Sequence, residues 1–537
     1  MTPISIQLIK RPIFLAVLCA AFPGMNHAQE VPKAVLRASF AAVEKSCDSA
    51  EECRVLIQAG PSKDREQAVD KLLSFGKDGV SVLAGFADTE DTDLRRQVGR
   101  LLSNNRDLTA PALLELLKDP DSRIRENAAN VLCRYRTNGI SGALIEALTD
   151  SSGRVRAKVA WGLGNTENEE VIAVPALAET LKDSDSYVRQ NAAEALGKLG
   201  PAAASSVPGL ILLLKDNDSP VREKAIETLG KFGPAAKSAA PELGKFLSDP
   251  AQSTREKTAW ALYKLGSAAA PAAPQLADAL GDNSHEVRDP VGKTLVMIGP
   301  AAVPPLLRLL ADKNDGWGVT EAIETLGEIG RPAVPALTEA LKNQDARLRL
   351  RAMSALTKIG RPAKDAVPAL KTLLGSADSG TRFNILEALW SIEPPSRAVV
   401  KEHLTDQDIK IRAMAVSALA RRDLKGKEAV NALINALKDE NSFVRSAAFT
   451  TLNALEAEAK DAVRPLVGIL LSPESPDRME AAFTLGRIGP AAKEAVPALK
   501  KTLEDGDPFV RAKAARALEE INSEEAHKKG FSYGPGR

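Results

Sequence analysis

Along most of this chain apolar and polar positions follow a helical period, and the pattern restarts about every thirty residues. The stretch "VPALAETLKDSDSYVRQNAAEALGKLGPAA", Val174 to Ala203, is the template. Its first half sets apolar residues on one helix face, with Pro175 in the first turn, where a missing N–H costs nothing. A turn rich in Asp and Ser follows, and then a second helix. Counted from Arg189, apolar residues stand one before it (Val188) and three, four, seven and ten after it (Ala192, Ala193, Leu196, Leu199). Gly200 and Pro201 end that helix. Ser219 before Pro220 and Asp507 before Pro508 are the expected caps of later second helices.

The arginine of the second helix measures the period. It stands at Arg65, Arg95, Arg125, Arg156, Arg189, Arg222, Arg255 and Arg288, then at Arg349, Arg382, Arg412, Arg445, Arg478 and Arg511. Successive gaps are 30, 31 or 33 residues, apart from one double gap between Arg288 and Arg349, where "EAIETLGEIG" marks a unit with Val319 at the arginine position. Fifteen units fit between about Pro61 and Ile521. Six residues after the arginine the side chain is nearly always small, as in Ala195, Thr228, Ala261, Thr294, Ala355, Ala388 and Ala418, which lets neighbouring helices approach. One hairpin has apolar surface on two sides and covers it only by stacking on a copy of itself.

The recurring "VPAL…LKD.D..VR..AA.ALG.LG" resembles the HEAT repeat, in particular the short type of the phycobilisome lyases, over roughly 460 residues. The resemblance implies an all-α fold, an α-solenoid or superhelix of about fifteen hairpins whose second helices line a concave side. The expected organisation is a leader at 1–28, an N-terminal helical cap at 29–60, the repeats at 61–521 and a disordered tail at 522–537. Lys10 and Arg11 before the apolar run Ile13 to Phe22, followed by a polar break, read as a secretory signal cleaved after Ala28. The expected location is therefore periplasmic or secreted, with no integral membrane segment after cleavage.

Charge adds a constraint. The chain has 71 Lys+Arg and 70 Asp+Glu, and removing Lys10 and Arg11 with the leader leaves 69 against 70. No global field recruits nucleic acid. Cys47 and Cys53 could close a small loop as a disulfide or stay free thiols, and Cys133 falls inside a helical pattern as a lone packed thiol.

The candidate chemistry is sparse. An aspartate recurs six residues before the arginine, so that Asp183 and Arg189, Asp216 and Arg222, Asp249 and Arg255, Asp282 and Arg288, Asp439 and Arg445, and Asp505 and Arg511 read as a structural ladder, paired within or between units. The "DSDS" turns lack the glycine that bends a calcium loop. Among HEAT-like enzymes, deoxyhypusine hydroxylase carries several His-Glu pairs for two irons. This sequence has one, His285 with Glu286, and that metalloenzyme, with a bilin-lyase-like protein, is the alternative reading. No catalytic residue, metal ligand or cofactor is assigned.

The remaining signal is surface. Residues two, five and nine after the arginine should face the groove, as Asn191, Glu194 and Lys198, with Glu194–Lys198 and Glu227–Lys231 as i,i+4 pairs. Trp161, Trp260 and Phe483 stand five after it, and Tyr263 and Trp390 eight after it, as expected anchors for a protein partner, with Trp260 able to stack on Lys264. Trp317 marks the unit that lost its arginine as a kink or a contact point. The sequence thus points to a non-catalytic scaffold that binds protein.

Overall fold

The computed structural model describes residues 47–528, apart from 60–61, 136–139, 166–169, 314–315, 376, 378 and 422–423. The expected leader, residues 29–46 of the expected cap and residues 529–537 of the expected tail lie outside the described residues. Among those described, the chain is helical with no strands, an α-solenoid of fifteen hairpins, from Ala50–Ala59 with Ser62–Leu72 to Val496–Thr502 with Pro508–Lys528. We number the hairpins one to fifteen. They fall into two compact units, Met1–Ala272 with hairpins one to seven and Ala273–Arg537 with hairpins eight to fifteen.

Two expected boundaries shift. Ala50–Ala59 is not part of a separate cap; it packs on Ser62–Leu72 as the first helix of hairpin one. It lacks the proline and the glycine that mark later units, so its pattern does not announce it. At the other end the last helix continues past Ile521 to Lys528, because Asn522 to Lys528 holds helix formers and no Gly or Pro.

Most local signals act as the sequence suggests, with two corrections: Pro175 lies inside Glu170–Thr180, which starts more than a turn before it, and the cap of Ser219–Phe232 is Asp218, Ser219 being already helical. Proline takes the first turn of many first helices, as in Val207–Leu213 and Val367–Leu374. Second helices end on glycines of positive φ, such as Gly200 at 65° and Gly233 at 57°. Hairpin thirteen has Glu456 there instead, at φ 48°.

In the first unit, second helices stack on second helices: Gly153–Leu163 on Ser186–Leu199, that on Ser219–Phe232, and that on Gln252–Leu265. The contact is a glycine against the next hairpin's small residue. A Cβ on Gly164 would lie 2.6 Å from Ala195 Cα, and one on Gly230 would lie 2.9 Å from Ala261 Cα. Leu196, Leu229 and Leu262 fill the same layer, each fully buried. In the second unit the buried core runs from Val400 through Phe449 to Ile521. Two stretches, Ser186–Leu213 and His285–Leu310, are long and apolar enough to cross a membrane by length and composition. Each is two helices separated at Gly200 or Gly299.

Candidate protein interface

The ladder runs between hairpins. Arg189 Nε and Nη2 donate to the Asp216 carboxylate of the next hairpin at 2.7 and 2.8 Å, while its Nη1 donates to the carbonyls of Asp183 and Ser184 in its own turn. Arg125 to Asp150, Arg156 to Asp183, Arg412 to Asp439 and Arg478 to Asp505 repeat this fork. Each aspartate also accepts the N–H two residues on, as Asp216 does from Asp218 at 2.9 Å, so one carboxylate both shapes its own turn and fixes its neighbour. The hydrogen bonds from Arg189 hold the Asp216 carboxyl below the usual carboxylate range, against the opposing effect of burial. Sequence left open whether pairing lies within or between units; within a unit the arginine takes the aspartate's backbone carbonyl.

Not every rung has this form. Arg222 and Arg511 bind turn carbonyls, at Asp216 and Asp505. Arg445 reaches Asp477 at 2.6 Å across a longer turn. Asp249 and Asp282 give their carbonyls to Arg255 and Arg288, at 3.0 and 2.7 Å.

Hairpin nine breaks the ladder. Aligned on "ETLG", it has Lys313 at the aspartate position and Val319 at the arginine position. Arg288 therefore lies over the Trp317 ring, 5.5 Å from its centroid, with Glu321 at 3.8 Å. The buried Arg351, two residues past the next ladder arginine, reaches back to the carbonyls of Leu310 and Asp312 at 2.6 Å each. Where the sequence suggested a kink or a contact point, the structure has a substitute set of contacts.

The exposed stripe of the second helices reaches one turn nearer the helix start than positions two, five and nine after the arginine. Positions two before, two after, five after and nine after the arginine share one helix face, because their separations are four, three and four residues. Every exposed aromatic side chain among the described residues stands on it, at two before or five after: Tyr187 and Trp260 in the first unit, and Trp317, Phe443 and Phe509 in the second. Tyr187, Phe443 and Phe509 stand two before the arginine, one turn nearer the helix start than the positions expected from the sequence. An aromatic where other units have Arg, Pro, Ser or Lys was the available signal. In contrast Asn191, at two after, is buried and donates to the Tyr187 carbonyl at 2.7 Å.

The five expected anchors do not form one class. Trp260 is 46% exposed and meets Tyr263 edge-on at 5.4 Å between centroids; Lys264 lies over Tyr263, so the expected Trp260–Lys264 stack is not formed. Trp161 and Phe483 are half-buried, each covered by a lysine of the next hairpin, Lys198 and Lys513, at 4.7 Å. Trp390 is half-buried, edge-on to His403 at 5.8 Å and packed on the second unit's core. The expected Glu227–Lys231 pair is replaced: Glu227 binds Lys224 at 3.0 Å and Lys257 at 3.2 Å, whereas Glu194–Lys198 forms at 3.3 Å.

In the second unit the stripe opens into a groove of about 990 Å³ across hairpins eleven to thirteen, lined by Phe383, Ile409, Met414 and Phe443, with Glu387 and Lys410 among its polar residues. Phe443 and Ile409 are 61% and 40% exposed.

The remaining candidates are simpler. His285 Nδ1 lies 3.0 Å from the neighbouring Glu286 carboxylate, both side chains largely in water. Among the described residues no three His, Cys, Asp or Glu side chains come together as metal ligands. Cys47 and Cys53 are joined by a disulfide, and Cys133 is a buried free thiol whose pKa burial pushes up to about 12.

The family model for HEAT repeats matches residues 140–208, 207–291, 274–356, 303–390, 334–406, 396–486 and 463–529, and a second HEAT-repeat model matches 110–135. Among curated proteins, none matches this chain. Solved structures similar to it include an engineered protein (23% identity, 76% of this chain and 98% of that one, TM-score 0.27). Importin beta is another (14%, 97% and 82%, TM-score 0.34), as is the CpcE–CpcF complex of phycocyanin lyase from Nostoc sp. (26%, 47% and 95%, TM-score 0.27). At such TM-scores these likenesses carry no argument about what this chain does.

Proposed function

This chain belongs to the HEAT-repeat family, and from that premise we propose that it is a protein-binding scaffold whose contact surface is the exposed stripe of its second helices. One observation carries the reading: the exposed aromatics of both units sit on that stripe and nowhere else among the described residues. Large apolar rings left in water on one repeating face are what an interface anchor requires. The ladder supports it by holding neighbouring hairpins in register before a partner arrives, so little ordering cost falls on binding.

The scaffold acts outside the cytoplasm, in the periplasm or after secretion, a reading that rests on Lys10, Arg11 and the apolar run Ile13 to Phe22. Mature protein beginning at Gln29 in an envelope or secreted fraction supports it. Full-length protein in the cytosol overturns it.

The binding reading is tested with Trp260→Glu and Phe443→Glu combined, both at exposed sites. Melting should stay within about 2 °C of the parent, because exposed substitutions change stability little, while recovery of partners from an envelope fraction falls sharply. Unchanged recovery removes the stripe from the account.

A further inference from the structure

Three lysines recur at one repeat position in hairpins five to seven, Lys198, Lys231 and Lys264, each nine residues after its ladder arginine and 33 residues from the next. All three are exposed. Resting on the protein-binding reading, we propose that this face of hairpins four to seven takes an extended acidic polypeptide segment whose carboxylates recur at every third residue.

The charge balance supports the acidic partner. Outside the ladder arginines the four second helices here carry seven cations and four acids, an excess of three (7 − 4). The acids are largely spent on two of those lysines. Lys224 binds Glu194 at 3.7 Å and Glu227 at 3.0 Å, and Lys257 binds Glu223 at 2.5 Å and Glu227 at 3.2 Å. This pinned network lies two turns nearer the helix starts than the row and reaches Lys198 through Glu194 at 3.3 Å, which leaves Lys231 and Lys264 as the unbalanced charge. Gly197 leaves room for the Lys231 stem, whose Cδ would lie 3.3 Å from a Cβ at that site.

Spacing sets the register. Packed helices lie about 8–10 Å apart, and an extended chain of polyproline II type advances about 3.1 Å per residue with three residues per turn, so carboxylates three residues apart share one face and meet successive lysines. Trp260 with Tyr263 offers an apolar contact at one end of the row.

The test is fluorescence anisotropy with the full chain and three labelled peptides of one length, each with a single Phe. They carry Asp at every third position, the same Asp residues in one block, or Asn in place of Asp. The first should bind, and the other two should bind at least about tenfold more weakly. K198Q/K231Q/K264Q should weaken the first peptide about tenfold with unchanged melting, and K198R/K231R/K264R should restore it. Equal binding of the Asn peptide or of the blocked peptide overturns the proposal, as does indifference to the glutamine variant. A single-stranded DNA oligonucleotide of equal charge that competes as well as the first peptide also overturns it, in favour of a general polyanion track. Failure of all three peptides, with envelope capture still lost on W260E/F443E, sinks this inference and leaves the scaffold reading standing.

Discussion

Replacing Arg189 with methionine isolates one rung of the ladder. The arginine gives two hydrogen bonds to Asp216 and two to its own turn's carbonyls, and methionine keeps much of the stem's packing while removing all four. The Asp216 carboxylate, only 8% exposed, is left with the Asp218 N–H as a donor. Breaking a buried pair from one side costs about 3–5 kcal/mol. The guanidinium edge still touches water, which places the expected loss near about 3 kcal/mol. Asp216→Asn alone should also destabilise. The double variant should recover much of the loss, with a coupling of about 2 kcal/mol, because it leaves no unpaired charge. The readout is denaturant unfolding with amide hydrogen exchange of hairpins five and six, since repeat arrays can open in parts. The sign in acid follows from the pKa direction. The folded-state Asp216 pKa is depressed, so the rung stabilises fully above the ordinary carboxylate pKa of about 4 and is lost as pH falls through the lower folded value. Arg189→Met should therefore flatten the acid limb of the stability curve. Additive single effects, or a loss below about 0.5 kcal/mol, would refute a register-holding rung.

Three further outcomes are expected. Lys313→Asp supplies the carboxylate that hairpin nine fails to offer Arg288 and should raise amide protection there; lower protection would mean that the Trp317 and Arg351 contacts are the better solution. Glu456→Gly should stabilise by about 1 kcal/mol despite losing the Arg487 ion pair, because a side chain at φ 48° is strained and an exposed pair contributes little; a drop in melting temperature would contradict that. Cys133 should resist iodoacetamide in the native protein at pH 8 and react on unfolding, since burial holds it as the thiol; fast native labelling would place it at the surface.

Much of the fold is legible in the sequence because its signals are local. Pro208, the Asp-rich turn, Val188 to Leu199 and Gly200 each act within a few residues of themselves, and repetition averages out exceptions such as Pro175. The site is less legible because it depends on what the next hairpin supplies. Lys198 covers Trp161 from 37 positions on, and Lys224 with Lys257 takes Glu227 away from Lys231. The arginine's two roles were hidden for the same reason: an aspartate six residues before it and another 27 after it look equivalent in sequence, and only the stacked helices show that one lends a carbonyl and the other a carboxylate.

The direct test of the central claim is a photo-crosslinking scan in the native compartment, one residue at a time. Crosslinkers at Tyr187, Trp260, Phe443 and Phe509 report the stripe, and crosslinkers at Leu212 and Leu471 report exposed apolar sites off the second helices. The account predicts discrete adducts with other proteins from the first group and few from the second. Equal yields from both groups, or adducts confined to Leu212 and Leu471, would contradict it.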